Sequence, residues 1–458
     1  MSSESSFRGY LRDFSRSKSG VAGLVMLILL LGASIYVLVG FPPTIASQWG
    51  NPKQWQGNPQ NSPPQWVGYF TPDFPPTIGF PSVIWTNTAP SGSQDYNFSH
   101  TFTFHWSSTK TPSNIVFIPR FNGTFIEAAI TWTKPDGNSL ILYIGNPTTN
   151  VNYGVSDPSI APWIQQYVGS QTDTTPSGVT VPEEMSALFN RDGKSLLNSS
   201  VLQGTYKLRV DMLSSGQGAV LSTTFLSING KSYGIMGTDL YGRPIQLGVL
   251  LGLPWALELG ALTSVIAVLF GVIFGGIAGY LGGSKDNVMQ WISLVVLALP
   301  ALPFLVALSY SIRLDLISEA LLISALSWPF YAIIARSVSL SVKSQTYVEA
   351  DRAMGVSSMR TFFTHFMPRL TPVSIAYAAL GVPAGILLAQ TLAFLGIQPQ
   401  TVVTWGGILD DAFIQQAAVY GWWWWVLFPG IMIIVASLPF VLVGFALDKI
   451  VAPKVQAK

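Results

Sequence analysis

The chain has 458 residues, of which 49% are hydrophobic and only 10% are charged. Soluble globular proteins carry charge at about 25% of their positions, so this composition predicts a protein of the lipid bilayer. A formal net charge of +2 gives no reason to expect a nucleic-acid partner, and the absence of cysteine excludes disulfides and thiolate metal sites. The histidines are too few and too scattered to predict a metal site: His100, His105 and His365.

Six apolar stretches are long enough to form spanning helices, because crossing a bilayer takes about 20 mostly apolar residues. In chain order they cover residues 21–39, 259–281, 288–310, 316–334, 373–395 and 422–447. The first stretch is longer than the core of a signal peptide, and no small-residue cleavage site follows it. We therefore expect a retained first helix at residues 21–40 and an α-helical polytopic membrane protein with six spans.

Lysine and arginine residues form three clusters at the ends of these stretches. They precede the first stretch, separate the fourth from the fifth, and follow the sixth: Arg8, Arg12, Arg16, Lys18; Arg336, Lys343, Arg352, Arg360, Arg369; Lys449, Lys454, Lys458. With six crossings all three clusters fall on one side, which the positive-inside rule assigns to the cytoplasm. The sequence thus predicts a multi-pass protein of the cell membrane. Its N-terminal segment (1–20) and C-terminal tail (448–458) are both expected in the cytoplasm.

Between the first two stretches lies a large segment of different composition, expected outside the cell. Residues 41–95 are rich in proline, glutamine and tryptophan, which predicts an extended segment. From residue 96 apolar and polar side chains alternate, the pattern of half-buried strands, so residues 96–236 predict an inserted β-sandwich-like domain. Three Asn-x-Ser/Thr triplets in this region are candidate N-glycosylation acceptors: Asn97, Asn122 and Asn198.

The second apolar stretch is rich in glycine along its length and at its end. Small residues four positions apart let two helices approach closely in lipid. We expect this stretch to pack tightly against a neighbouring helix, and a flexible gate is the alternative. The glycines are Gly271, Gly275, Gly276, Gly279, Gly282 and Gly283.

A polar segment at residues 343–371 separates the fourth stretch from the fifth. Its sequence predicts a short helix that ends at Gly355 in the left-handed conformation. A second helix follows, with Ser357 as its N-cap and Pro368 near its end. Three phenylalanines fall on one face of this second helix and are expected to be exposed: Phe362, Phe363 and Phe366. The segment predicts a compact helix pair that another protein binds.

The same segment resembles the EAA coupling loop of ATP-binding-cassette importer permeases. It has the Glu-Ala pair, the spaced glycine and the His-x-x-Pro ending, with an aspartate where a second alanine is usual. In that family the first short helix docks into a groove of the ATPase subunit, and the spans have the type I importer fold. The resemblance implies that the coupling residues of this chain are Glu349, Ala350, Asp351, Arg352, Gly355, His365 and Pro368.

A second motif, just before the second stretch, resembles the Gly-Thr-Asp-x-x-Gly-Arg signature of dipeptide/oligopeptide permeases. Its residues in this chain are Gly237, Thr238, Asp239, Gly242 and Arg243. In that family an outer amphipathic elbow follows the signature, and the next span ends in Ala-Gly-Tyr-x-Gly-Gly, as residues 278–283 do. The resemblance implies a permease core with five spans at residues 237–447 and does not cover the insert. The chain departs from the family pattern at Pro244, Pro254 and Gln390.

The resemblance implies the permease subunit of an importer rather than an enzyme. The phosphate-binding pattern Gly-x4-Gly-Lys-Ser/Thr is absent, so partner ATPase subunits would use ATP and Mg, and this chain would bind no cofactor. The implied partners are a second, dissimilar permease subunit, two cytoplasmic ATPase subunits, an extracellular substrate-binding protein and membrane lipid. Peptides are the favoured cargo and oligosaccharides the alternative. A secondary transporter is a competing class, although it usually carries charges deep within its spans.

Overall fold

The computed structural model describes residues 12–55, 57–71, 74–80, 85–88, 95–122, 125–145, 166, 181–192, 200–215, 220–309, 311, 315–399 and 401–456. It divides the chain into two compact units. One unit consists of Met1–Gly50 together with Leu247–Lys458, and the other is Asn51–Gln246. Each end of the second unit, at residues 51 and 246, lies ten residues later in the chain than the ends predicted for the insert, at 41 and 236.

The helices of the described residues follow one another in this order along the chain. They are α1 (Lys18–Gly40), α2 (Thr44–Gln48), α3 (Val181–Phe189), α4 (Ile245–Leu281), α5 (Gly283–Leu297), α6 (Ala301–Ser309), α7 (Leu316–Lys343), α8 (Thr346–Ala353), α9 (Ser358–Thr361), α10 (Met367–Phe394), α11 (Trp405–Ile414) and α12 (Trp423–Gln456). A π-helical turn, Phe362–Phe366, joins α9 to α10. Short 3-10 turns lie at Pro52–Gln54 and Gln65–Tyr69.

Within the described residues, five helices are long and apolar enough to cross a membrane. They are Lys18–Gly40, Ile245–Leu281, Leu316–Lys343, Ser358–Phe394 and Trp423–Ile450. The pair α5 and α6, bent by 77°, makes a sixth candidate. The membrane character of the sequence is thereby confirmed.

The prediction of one uninterrupted helix at residues 288–310 is wrong. The chain leaves α5 after Leu297 and enters α6 at Ala301, with Pro300 at the break. Proline has no N–H to donate and disfavours the helical conformation of the residue before it, in this case Leu299. The third apolar stretch therefore forms two helices at an angle.

The family resemblance also implies a separate amphipathic elbow before the second span. Among the residues that the structure describes, no separate elbow helix precedes this span. Residues 245–281 form one helix of 37 residues, α4, and Pro254 lies inside it. At 1.5 Å per residue this helix is about 55 Å long, well beyond the ~30 Å hydrocarbon core of a bilayer. The helix thus begins 14 residues earlier than its apolar stretch predicts.

Glycines on α4 bring that helix into direct contact with the backbone of α7. A Cβ at Gly275 would lie 1.9 Å from the carbonyl oxygen of Ala332, and one at Gly271 would lie 2.5 Å from the carbonyl oxygen of Trp328. Trp328 and Ala332 are buried in a cluster with Val268 and other side chains of α4 and α7. The tight packing expected from the glycine spacing is confirmed.

The unit Asn51–Gln246 is built on two antiparallel sheets. Its strands are β1 (Ile78–Phe80), β2 (Thr86–Thr88), β3 (Asp95–Trp106), β4 (Asn114–Asn122), β5 (Phe125–Thr133), β6 (Ser139–Gly145), β7 (Gly204–Ser215) and β8 (Val220–Asn229). One sheet has the order β1-β8-β4, and the other has the order β2-β3-β7-β5-β6. The strands expected from alternation after residue 96 are confirmed, including the hairpin of β5 and β6.

Side chains from both sheets and from α3 form one aromatic core. Phe102 and Phe104 on β3 lie opposite Leu208 and Tyr206 on β7, and all four side chains are buried. Phe189 at the end of α3 packs its ring 4.8 Å from that of Tyr206. Full burial of aromatic side chains of this size contributes much of the stability of a small domain.

Candidate functional site

The segment between α7 and α10 has a helix–glycine–helix geometry. Gly355 has a φ of +73°. The N–H of Val356 donates to the carbonyl oxygen of Asp351 at 3.0 Å, and the N–H of Met354 donates to that of Ala350 at 3.0 Å. The bond from Val356 to Asp351 is the six-to-one bond of a Schellman ending, which requires the left-handed conformation that glycine adopts most easily. The predicted end of the first helix at Gly355 is confirmed.

Ser357 is the N-cap residue of the second helix, as predicted, whereas the predicted role of Pro368 is wrong. The side chain of Ser357 makes no capping hydrogen bond; only its carbonyl oxygen accepts, from the N–H of Thr361 at 3.0 Å. Pro368 does not end a helix but lies in the first turn of α10, which continues to Phe394. Proline is tolerated in a first turn, because the N–H groups there lack helical partners in any case.

The predicted exposed aromatic face is wrong for two of its three members. Phe362 and Phe366 are buried, and only Phe363 is exposed, at 58%. The ring of Phe366 lies 5.0 Å from that of Tyr280 at the end of α4. The same cluster contains Val348 on α8. These rings therefore fix the segment to its own helices instead of offering a surface to a partner.

The outward face of α8 carries the residues singled out in the sequence. Glu349 and Ala350 are exposed, as are Gly355 and Pro368. Met354 and Met359 extend the exposed surface on either side of the glycine, at 72% and 71% exposure. The side chain of Arg352 lies outside the described part of the structure. Glu349 and Ala350 thus form a small outward patch on a helix whose other side is anchored by Val348.

Asp351 and His365 face each other across the segment. Nε2 of His365 lies 2.9 Å from Oδ2 of Asp351, and Oγ1 of Thr361 donates to the same Oδ2 at 3.2 Å. The ring of Tyr347 lies 5.0 Å from that of His365. Sequence reasoning named Asp351 and His365 singly and missed their contact, because no short-range periodicity relates residues 14 positions apart.

Two further contacts at this end of the bundle were not foreseen from the sequence. Arg336 on α7 forms a two-pronged ion pair with Asp286 on α5, with Nε to Oδ1 at 2.6 Å and Nη2 to Oδ2 at 2.7 Å. Nζ of Lys343 donates to the carbonyl oxygen of Leu281 at 3.1 Å. Such a paired geometry fixes orientation as well as distance. The last turns of α7, directly before α8, are thereby tied to α4 and α5.

The Gly-Thr-Asp-x-x-Gly-Arg motif forms a buried polar turn within the unit Asn51–Gln246. Oδ1 of Asp239 accepts hydrogen bonds from the N–H groups of Tyr241 and Arg243, both at 2.8 Å, and the Arg243 guanidinium pairs with Oδ2. Asp239 is fully buried and Arg243 is 6% exposed. Burial raises the pKa of Asp239, and Arg243 opposes this shift.

The same motif holds the segment around residues 55–62. Oγ1 of Thr238 donates to the carbonyl oxygen of Pro59 at 2.7 Å and accepts from the N–H of Ser62 at 3.0 Å. A Cβ on Gly242 would lie 2.8 Å from the carbonyl oxygen of Trp55. Gly237 and Gly242 both have a φ of +77°. The motif therefore has a structural role in this chain: it holds the segment from Trp55 to Ser62 in place.

The remaining sequence candidates are dispersed. Asn97 lies exposed on β3 and Asn122 ends β4, while Asn198 is outside the described residues. Gln390, where the family pattern has another residue, is buried and its Oε1 accepts from the N–H of Gly406 at 2.7 Å. No group of three or more metal-ligating side chains occurs among the residues that the structure describes.

Known proteins that are similar to this chain are membrane components of transport systems. The family described as binding-protein-dependent transport system inner membrane component matches residues 271–457, a range that includes α7 through α10. The chain is 31% identical over 224 residues to a dipeptide transport system permease protein of Alkalihalophilus pseudofirmus, covering 48% of this chain and 72% of the relative.

Two further relatives show the same coverage. A probable D,D-dipeptide transport system permease protein of Escherichia coli is 30% identical over 223 residues, which is 48% of this chain and 74% of the relative. An oligopeptide transport system permease protein of Haemophilus influenzae is 29% identical over 225 residues, or 49% and 71%. The chain therefore belongs to the binding-protein-dependent permeases of ATP-binding-cassette importers, in their dipeptide/oligopeptide branch.

Proposed function

We propose that this chain is the permease subunit of an ATP-driven importer of peptides, in which α8 transmits the movement of an ATPase partner to the spanning helices. The observation that carries the proposal is the exposed patch of Glu349 and Ala350 on α8, a helix that is held against the bundle by the buried side chain of Val348. A short helix held in this way offers a partner a rigid point of contact. The chain contributes half of the translocation pathway and leaves the chemistry to its partners.

The path of transmission runs through contacts within one unit. Only Ser344 and Gln345 separate α7 from α8, so a displacement of α8 moves the end of α7. Arg336 and the glycine contacts of α4 carry that displacement to α5 and α4. A packed helix pair moves as a rigid body because close-packed interiors are not continuously deformable. The spans thus alternate between outward and inward access.

The partner set follows from the family and from what this chain lacks. A second permease subunit completes the pathway, and an external binding protein delivers the substrate. Two cytoplasmic ATPase subunits bind ATP and Mg, since this chain has no Gly-x4-Gly-Lys-Ser/Thr sequence. Peptides are preferred to oligosaccharides as cargo because the relatives described above are named for dipeptides and oligopeptides.

The orientation follows from the basic residues. Lys343, Arg360 and Arg369 lie within the polar segment 343–371, and Lys449 lies in the last helix. The positive-inside rule assigns these positions and both termini to the cytoplasm. The unit Asn51–Gln246, whose two sheets share one core, is then an extracellular β-sandwich. It bears the candidate glycosylation sites and is available to the binding protein.

Reversing the charge of Glu349 is expected to uncouple the importer. In the complete complex in proteoliposomes, Glu349→Lys should lower ATP-driven peptide uptake about tenfold or more. A partner surface that is complementary to Glu349 would then face a like charge, and like charges brought together at an interface cost several kcal/mol. The matched control is Lys449→Glu, a charge reversal at another exposed position, which should leave uptake within about twofold of wild type. The readout is the amount of labelled peptide accumulated per ATP hydrolysed. Accumulation of a labelled oligosaccharide, measured in a separate assay, tests the alternative cargo.

A substitution series at Gly355 tests the same element through the backbone. Gly355→Val should lose coupling, since a β-branched residue is strained at a φ of +73°. Gly355→Asn should retain most of it, because asparagine tolerates this conformation. Unchanged uptake in both Glu349→Lys and Gly355→Val would overturn the proposal. Uptake driven by an ion gradient without ATP would support a secondary transporter instead.

A further inference from the structure

We propose that Asp351, Thr361 and His365 form a clasp that sets the rotation of α8 about its own axis and so determines how far ATPase movement reaches the spans. The inference rests on the proposed function, and it assigns to these side chains a positioning role rather than contact with the partner. The clasp is the trio of Oδ2 of Asp351, Oγ1 of Thr361, which donates to it at 3.2 Å, and Nε2 of His365, which lies 2.9 Å from it.

The need for a clasp follows from the connection between α8 and α9. Only residues 354–357 join the two helices, and they turn at Gly355, where a Cβ would meet nothing within 4 Å. A glycine in open space leaves the backbone of this turn with more freedom than any other residue would. The turn alone therefore holds the angle between the helices weakly, and contacts across it must supply the rest.

Two kinds of contact cross the turn at different points of α8. Val348 packs into the buried cluster with Phe362 and Phe366, which keeps α8 against the neighbouring helices. Asp351 accepts from Thr361 and lies 2.9 Å from His365, which fixes the part of α8 three residues further along. Residues three apart lie on neighbouring positions of a helix surface, so the two attachments together prevent α8 from rolling. The outward patch on α8 is thereby kept facing outward.

The chemistry of the clasp suits a fixed joint. One carboxylate oxygen accepts from the hydroxyl of Thr361 and lies 2.9 Å from Nε2 of His365, and polar contacts to a carboxylate are stronger than contacts between neutral groups. The ring of Tyr347, 5.0 Å from that of His365, restricts the imidazole from the α8 side. The side chains are only 16% exposed for Asp351 and 28% for His365.

Loss of the clasp leaves α8 attached through Val348 but free to roll. The ATPase partner then still binds the outward patch, and part of its movement is lost as rotation of α8. The complex continues to hydrolyse ATP and imports less peptide per ATP. This pattern differs from that of Glu349→Lys, which acts on the partner contact itself.

The test uses the complete complex in proteoliposomes and compares the peptide imported per ATP. Asp351→Ala and His365→Phe, which keeps an aromatic ring beside Tyr347 but removes the imidazole nitrogens, should each lower the ratio about fivefold, the effect of one partly exposed polar contact to a carboxylate. The double variant should be no worse than either single one. His365→Gln, which restores a donor, should recover most of the ratio. Thr364→Ala, at an exposed position beside the clasp, is the control and should equal wild type.

Amide hydrogen exchange of the full-length chain in the complex gives a readout that is independent of transport. The amides of residues 346–356 should exchange faster in Asp351→Ala than in wild type, because local opening becomes easier. Unchanged exchange and an unchanged ratio in Asp351→Ala, or additive losses in the double variant, would overturn the clasp. If the wild-type complex imports no peptide with ATP, the proposed function fails, and the exchange measurement still decides on the clasp.

Discussion

Replacing Gly275 with alanine is expected to destabilise the helical unit severely, although the change adds only one methyl group. The new Cβ would lie 1.9 Å from the carbonyl oxygen of Ala332, 2.6 Å from its carbonyl carbon and 2.7 Å from its Cα. Because all three atoms belong to the backbone of α7, no side chain is able to move aside. The two helices must separate, which costs about 3 kcal/mol or more in a packed core.

The measurement is the thermal unfolding midpoint of the purified chain in detergent, together with ATP-driven uptake by the complex. We expect a midpoint lower by about 5–10 °C and a loss of uptake. Gly430→Ala is the matched control, since this glycine also lies inside a spanning helix and a Cβ there meets nothing within 4 Å. That variant should be neutral or slightly stabilised, because alanine is the better helix former. Equal midpoints for the two variants would contradict the packing of α4 on α7.

The second large effect is expected at Asp239. Asp239→Ala leaves the buried Arg243 guanidinium without its carboxylate, and the N–H groups of Tyr241 and Arg243 without their acceptor. Breaking a buried ion pair by removing one partner costs about 3–5 kcal/mol. We expect the full-length chain to be cleaved faster near residues 55–62 in limited proteolysis, because the turn that holds this segment is lost. Asp239→Asn keeps the acceptor and should fall between Asp239→Ala and wild type.

A second aspartate–arginine pair in the same unit provides the control. Asp211 pairs with Arg209 at 2.8 Å, but the two side chains are 26% and 59% exposed. Exposed pairs contribute only about 0–1 kcal/mol, since water and salt screen them. Asp211→Ala should therefore be cleaved at nearly the wild-type rate. A faster cleavage of Asp211→Ala than of Asp239→Ala would refute the structural role of the motif.

Much of the fold could be predicted from local sequence pattern. The spans follow from apolar length, and the strands after residue 96 follow from an alternation as regular as that of Phe102, Phe104 and Trp106. The break before Pro300 was missed because the surrounding residues are equally apolar on both sides. Hydropathy measures the preference for lipid and is insensitive to a change of helix direction.

In the candidate site, too, the sequence predicted local features and missed the contacts between residues that are distant in the chain. The turn at Gly355 follows from local chemistry, whereas Glu349 was singled out only through the resemblance to the EAA coupling loop. The burial of Phe362 and Phe366 does not, because their partner Tyr280 is more than 80 residues away in the chain. The contacts Asp286–Arg336 and Asp351–His365 were missed for the same reason. Pairings between distant segments become visible only when the helices are placed beside each other.

The central claim is that the face of α8 carrying Ala350 contacts a cytoplasmic ATPase. The chain has no cysteine, so Ala350→Cys carries a single thiol for a maleimide photocrosslinker. Tyr69→Cys, at a position 87% exposed in the other unit, is the control. We expect Ala350→Cys to be shielded from a membrane-impermeant maleimide added to intact cells and to form a covalent adduct with the ATPase subunit in permeabilised cells. Tyr69→Cys should react from outside and form no such adduct. Labelling of Ala350→Cys in intact cells, or no ATPase adduct from it, would contradict the account.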